Sequence, residues 1–297
     1  MSSFRTSLVA LLALGLATAA VAQTVRSDRL LNLSSRSRIV AGQSELIAGF
    51  VIGGTQPKRV LLRGIGPALS GFGVADAVAL PRLRLFDAQG RSLREVFGWG
   101  GDVTLAATFA RLGAFPLTAG STDAAILTTL APGTYTLQVT TTAGAGSVLA
   151  EIYDATEAAP AQFERLINIS ARGPVETNSP LIGGFVIGGT TSKRVLVRGV
   201  GPGLTPFSVG GPLADPRLRV YRGAAVIAEN DNWSGVAAEG TAAAAAASST
   251  GAFTLAANSR DAALILTLAA GEYTAQVTAT DGTSTGVALV EIYELPD

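Results

Sequence analysis

Apolar and polar residues alternate with a period of two along most of the chain. In "KRVLLRG", Lys58 to Gly64, Val60 and Leu62 share one face while Arg59, Leu61 and Arg63 share the other. In "RLRLF", Arg82 and Arg84 face away from Leu83 and Leu85; in "GTYTLQVT", Tyr135, Leu137 and Val139 alternate with Thr136, Gln138 and Thr140. Such alternation predicts half-buried strands. Gly53-Gly54, Gly66-Pro67, Pro132-Gly133 and Asp281-Gly282 mark turns between them. One stretch breaks the rhythm. In "DVTLAATFARLGAF", Leu105, Phe109 and Leu112 recur at helical spacing and Gly113 supplies a stop.

The pattern is written twice. "RLLNLSSR" at Arg29 returns as "RLINISAR" at Arg165, and "AGFVIGGTQPKRVLLRGIGP" at Ala48 as "GGFVIGGTTSKRVLVRGVGP" at Gly183. "DAAILTTLAPGTYTLQVT" at Asp123 returns at Asp261, and "LAEIYD" at Leu149 as "LVEIYE" at Leu289. Units of this length are whole domains rather than solenoid repeats. The expected organisation is one β-sandwich at 29–154, a linker at 155–164 and a second at 165–294. About eight strands per copy point to an all-β chain of two tandem antiparallel, jelly-roll-like sandwiches. Each carries one short helix. In the second copy the helix reads "GTAAAAAASSTGAF", with strong propensity and little bulk, so looser packing is expected there.

Composition narrows the chemistry. The N-terminus has Arg5, an apolar run from Leu8 to Leu16, and Ala20-Val21-Ala22, the pattern of a signal peptide at residues 1–22. Ser7–Ala22 falls short of the roughly 20 residues a membrane-crossing helix needs. The expectation is an exported chain, extracellular, periplasmic or at the cell surface, with no transmembrane segment after cleavage. Basic and acidic residues balance at 22 each, so no overall field attracts nucleic acid. Only Lys58 and Lys193 among the basic residues are lysines. The chain has no His and no Cys. Histidine-based triads, thiol nucleophiles and thiolate or imidazole metal sites are excluded.

What remains is carboxylate, hydroxyl, tyrosine and lysine chemistry, and oxygen-ligated calcium or magnesium. "RGIGPAL" at Arg63 and "RGVGPGL" at Arg198 carry glycines like those of phosphate loops, yet no strand–helix alternation surrounds them, and they read as turns needing positive φ. The repeated arginines, Arg59 and Arg194, Arg63 and Arg198, Arg82 and Arg217, Arg84 and Arg219, read as a solvated sheet face with local ion pairs. Asp123, Asp261, Glu151 and Glu291 read as strand-end caps or cross-strand arginine partners. In "AENDNWSG", Asn230, Asp231 and Asn232 gather oxygen ligands suited to calcium, and Trp233 offers a face for a sugar or protein. The first copy keeps Trp99 but not the triplet.

"DPRLRVYRGAAVIAENDNW", "DAALILTLAAGEYTAQV" and "GVALVEIYE" together resemble the pre-peptidase C-terminal domain. The match rests on Asn230, Asp231, Gly271 and Tyr273; copy one keeps Gly133 and Tyr135. The resemblance implies a jelly-roll-like module appended to secreted bacterial hydrolases, some members binding calcium, collagen or polysaccharide. The whole unit is also similar to repeat modules of large secreted bacterial proteins without assigned activity. The expected function is a non-catalytic binding or structural protein of envelope, matrix or extracellular adhesion. Its partner would be a polysaccharide or an envelope protein, and no cofactor is required. The alternatives are a calcium-assisted carbohydrate or protein binder and a carboxylate-dependent hydrolase.

Overall fold

The computed structural model describes residues 29–156 and 165–296; the expected leader and residues 157–164 of the expected linker lie outside this range. The first stretch forms β1 (Arg29–Val40), β2 (Leu46–Gly53), β3 (Lys58–Ile65), β4 (Pro81–Asp87), β5 (Ser92–Phe97), α1 (Val103–Leu112), β6 (Ala124–Leu130), β7 (Gly133–Thr141) and β8 (Ala145–Asp154). The second repeats the order with β9 (Arg165–Val175), β10 (Leu181–Gly188), β11 (Lys193–Val200), β12 (Pro216–Arg222), β13 (Ala225–Asn230), α2 (Ala237–Thr250), β14 (Ala262–Leu268), β15 (Gly271–Ala279) and β16 (Gly286–Glu294). The chain is predominantly antiparallel β.

Within each copy the strands pair antiparallel in two layers. In the first, β1-β8-β3-β6 makes one layer and β2-β7-β4-β5 the other. In the second, β9-β16-β11-β14 lies over β10-β15-β12-β13. The period-two faces explain the layering: Leu33, Phe50, Leu62, Leu83, Leu137 and Ile152 point inward and are fully buried.

The layers do not stop at the expected domain boundary. The free edge of β1 pairs with β10, and that of β9 pairs with β2. Two eight-stranded layers result, β6-β3-β8-β1-β10-β15-β12-β13 and β14-β11-β16-β9-β2-β7-β4-β5, each running through both copies and joined where Leu30 of β1 pairs with Leu166 of β9. The exchange is symmetric in register. Ser34 lies opposite Gly184, as Ser170 lies opposite Gly49, and the same one-residue bulge falls at Leu31 and Ile167. Glycine lets the strands meet at this seam without moving a neighbour, since a Cβ on Gly49 would sit 2.6 Å from Ser170 Oγ and one on Gly188 2.7 Å from the Leu31 side chain. One continuous apolar core draws on both copies, so the sandwiches are not separately closed.

Each helix covers the outer face of its own copy. Asp102 caps α1, accepting from the amides of Thr104 at 2.7 Å and Leu105 at 2.9 Å, and Gly113 ends it at φ 73°. A second apolar layer beneath α1 joins Leu61, Ile65, Leu69, Trp99, Phe109 and Tyr153. Strand β3 is thus buried on both faces. That is why Arg63 and Arg198, expected on a solvated face, are instead 0% and 1% exposed.

Candidate functional site

The glycine loops hold an anion, and the anion is the chain's own. Asp123 Oδ1 accepts from the amides of Gly66 at 2.8 Å and Ala68 at 3.3 Å, and Ser121 Oγ donates to its other oxygen. Asp261 repeats this with Gly201 at 2.8 Å, Gly203 at 3.1 Å and Ser259. Both carboxylates are fully buried, so they act as the caps expected of them. The need for glycine has another cause than positive φ. Gly66 and Gly201 sit at φ −130° and −127°, but a Cβ there would lie 2.1 Å from Val78 O and 2.0 Å from Leu213 O. Removing the carboxylate orphans buried amides. Asp261→Ala is expected to destabilise the fold by roughly 2–3 kcal/mol, read as a lowered urea midpoint at unchanged slope.

Beside each loop lies a buried ion pair. Arg63 Nε meets Glu151 Oε2 at 2.8 Å, and Tyr153 Oη donates to Glu151 Oε1 at 2.8 Å. In the second copy Arg198 Nε and Nη2 lie 2.8 and 2.7 Å from Glu291 Oε2, with Tyr293 Oη on Oε1 at 2.7 Å. These pairs are cross-strand, opposite in register as the sequence suggested. Burial pushes the Glu291 carboxyl above its ordinary range against the pull of Arg198, and burial with the Glu291 charge pushes the Tyr293 phenol up.

The two copies differ above these arginines. In copy one, the Arg63 guanidinium stacks on Phe109 at 4.8 Å and Phe115 at 4.2 Å, and Trp99 packs on Phe109 at 5.6 Å. Aligning Gly113 with Gly251 sets Phe109 against Ala247 and Leu105 against Ala243. Only Phe253, the counterpart of Phe115, still stacks on Arg198, at 4.3 Å. The missing bulk leaves a cavity of about 270 Å3 whose walls include Arg198, Trp233, Ala243, Ala247, Leu255 and Ala263. Trp99 is buried, its indole N–H donating to Thr118 O at 3.0 Å. Trp233 is only half-buried, its N–H donating to Ser259 Oγ at 3.1 Å.

The polar triplet sits on the turn leading into Trp233. Asn230 Oδ1 accepts from the Ala263 amide at 3.0 Å, Asn230 Nδ2 donates to Asn232 O at 3.3 Å, and Asn232 Nδ2 donates to Asp231 Oδ1 at 3.2 Å. Among the described residues no three His, Cys, Asp or Glu side chains gather as a metal site. No described helix is long and apolar enough to cross a membrane. A larger hollow of about 360 Å3, where the copies meet, is lined by Arg36, Arg38, Phe72, Asp76 and Asn178. There Arg38 is drawn to Asp76 at 3.5 Å and Glu176 at 3.7 Å.

The structure thus brings Trp233 to a cavity with Arg198, Ala243 and Ala247. Sequence reasoning noted the lost bulk of α2 but not the buried arginine beneath it. Comparison with known proteins adds little: no family model and no curated protein matches the sequence. Among solved structures, a tryptophan-to-phenylalanine variant of oxalate decarboxylase from B. subtilis aligns over 89% of this chain and 69% of its own, at 9% identity. Its TM-score of 0.16 is too low to carry an argument.

Proposed function

We propose that the chain is an exported, non-catalytic binding protein of two duplicated β-sandwich modules, acting at the cell envelope, matrix or extracellular surface. The observation that carries this reading is the cavity beside Trp233, open in copy two where Phe109 fills copy one. Duplication that keeps one copy packed and empties the other frees the second for contact with a planar apolar face, of a sugar or an aromatic ring. The carboxylates a hydrolase would use favour the non-catalytic reading, since Asp123, Asp261, Glu151 and Glu291 are all engaged in internal bonds. Edge strands β5 and β13 end the two sheets with Phe97 and Val226 exposed, surfaces suited to a macromolecular partner.

A second reading, a calcium-assisted binder centred on Asp231 and Trp233, is favoured by their closeness on one turn, of which Trp233 lines the cavity. A glycan and matrix-protein array, run with and without calcium, separates the two. The expected result is a bound ligand whose signal is lost in Trp233→Ala and in Ala247→Phe, which refills the cavity. Silence across the array, or a signal indifferent to both variants, defeats the binding reading. Calcium-dependent thermal stabilisation that vanishes in Asp231→Ala would establish the second.

A further inference from the structure

The two lysines occupy matching buried places. Lys58 begins β3, and its Nζ lies 2.9 Å from Oδ2 of Asp154, the last residue of β8; the two side chains are 0% and 1% exposed. Lys193 begins β11 with Glu294 at the end of β16, 3.8 Å apart. Every other basic position in the chain is arginine. A guanidinium stays protonated in proteins, whereas an ammonium can shed its proton and become a nucleophile. An ion pair withdrawn from water gains little over its neutral form, an amine touching a carboxylic acid.

The geometry points to an intramolecular amide between Lys58 Nζ and Asp154 Cγ, a covalent staple across β3 and β8. Three features of copy one favour it. The amine is held against the carboxyl by strands in fixed register, Val60 opposite Asp154. The Thr156 amide donates to Asp154 Oδ1 at 3.1 Å, where negative charge gathers as the amine attacks. Thr156 Oγ1 lies 3.4 Å from Nζ and orients it. The ammonium first hands one proton to Oδ2. The neutral Nζ then bonds to Cγ, the Cγ–Oδ2 bond breaks, and Oδ2 leaves as water with a second proton from Nζ. One amide and one water result, with no oxidant or co-reactant.

Copy two keeps the register, Val195 opposite Glu294, but offers no counterpart of the Thr156 contacts. The carboxylate is one methylene longer and more distant, and the position matching Thr156 is Pro296, which has no N–H to donate. One staple forms, therefore, and not two.

Mass spectrometry of the denatured purified chain tests this without any variant. The expected result is a mass about 18 Da, one water, below that of the sequence from its observed N-terminus, and a digest peptide joining the Lys58 and Asp154 segments. Lys58→Arg, which keeps the charge, should restore full mass, and Lys193→Arg should leave the deficit in place. A folded wild-type chain at full mass, a deficit twice as large, or one that survives Lys58→Arg overturns the assignment. The result is independent of whether the Trp233 cavity binds a ligand.

Discussion

Residues 29–156, produced without the second copy, are expected to form a dimer and no stable monomer. Cutting the chain there strips β1 of its pairing from Arg29–Gly188 to Arg36–Ile182, and β2 of its pairing with β9. It also removes the Ile182 carbonyl that accepts from Ser35 Oγ at 2.7 Å and opens the shared core around Leu33, Phe50 and Ile52. Two unpaired strand edges beside exposed apolar side chains are strongly driven to find partners. The seam supplies the solution. Its register is the same on both sides, so a second copy of 29–156 can present Gly49 to Ser34 as Gly184 does in the intact chain. Exchange of identical elements between protomers is then the low-cost route to closure. Light scattering after size exclusion reads the outcome directly. A cooperatively unfolding monomer of this fragment would show that each copy closes by pairing its own β1 and β2, and that the exchange is dispensable.

Arg63→Met is expected to cost the fold about 3–5 kcal/mol, the usual penalty for leaving a buried charge without its partner. Glu151 is 2% exposed and would keep only the Tyr153 hydroxyl. The Phe109 and Phe115 rings would lose the cation between them, and the Phe115 carbonyl its donor at 2.7 Å. Arg63→Met combined with Glu151→Leu should recover much of the loss, because apolar side chains of similar volume replace a buried pair with little net cost. Urea midpoints of the two variants settle this. A single variant within about 1 kcal/mol of wild type would mean that the Arg63–Glu151 pair matters little to stability.

Much of this molecule is legible in the chain. The alternation of Val60 and Leu62 against Arg59 and Arg63 marks a strand without further help, because a pleated backbone sends successive side chains to opposite faces. The run Leu105, Phe109, Leu112 with Gly113 gives α1, since its spacing and stop belong to a helix alone. The repeated motifs give two copies of eight strands in the same order. The same alternation misplaces Arg63, since a period of two tells which residues share a face but not what lies over that face. When α1 and its apolar layer cover the outer side of β3, the arginine has no water to reach and must find Glu151.

The candidate site shows the same division. Trp233 stands out in sequence, and the alanines of α2 announce missing bulk; that the missing bulk lies over Arg198 depends on a helix, a loop and two strands meeting. Sequence by itself determined the strands, the helices and the lack of imidazole and thiol chemistry, because these follow from local periodicity and residue type. Tertiary structure alone decided which copy β1 and β9 pair with, what fills the glycine loops, and which lysine lies within 3 Å of a carboxylate oxygen. Each of those depends on partners more than fifty residues away, and pairing across that distance is chosen by the packing of the whole core rather than by any segment's own pattern.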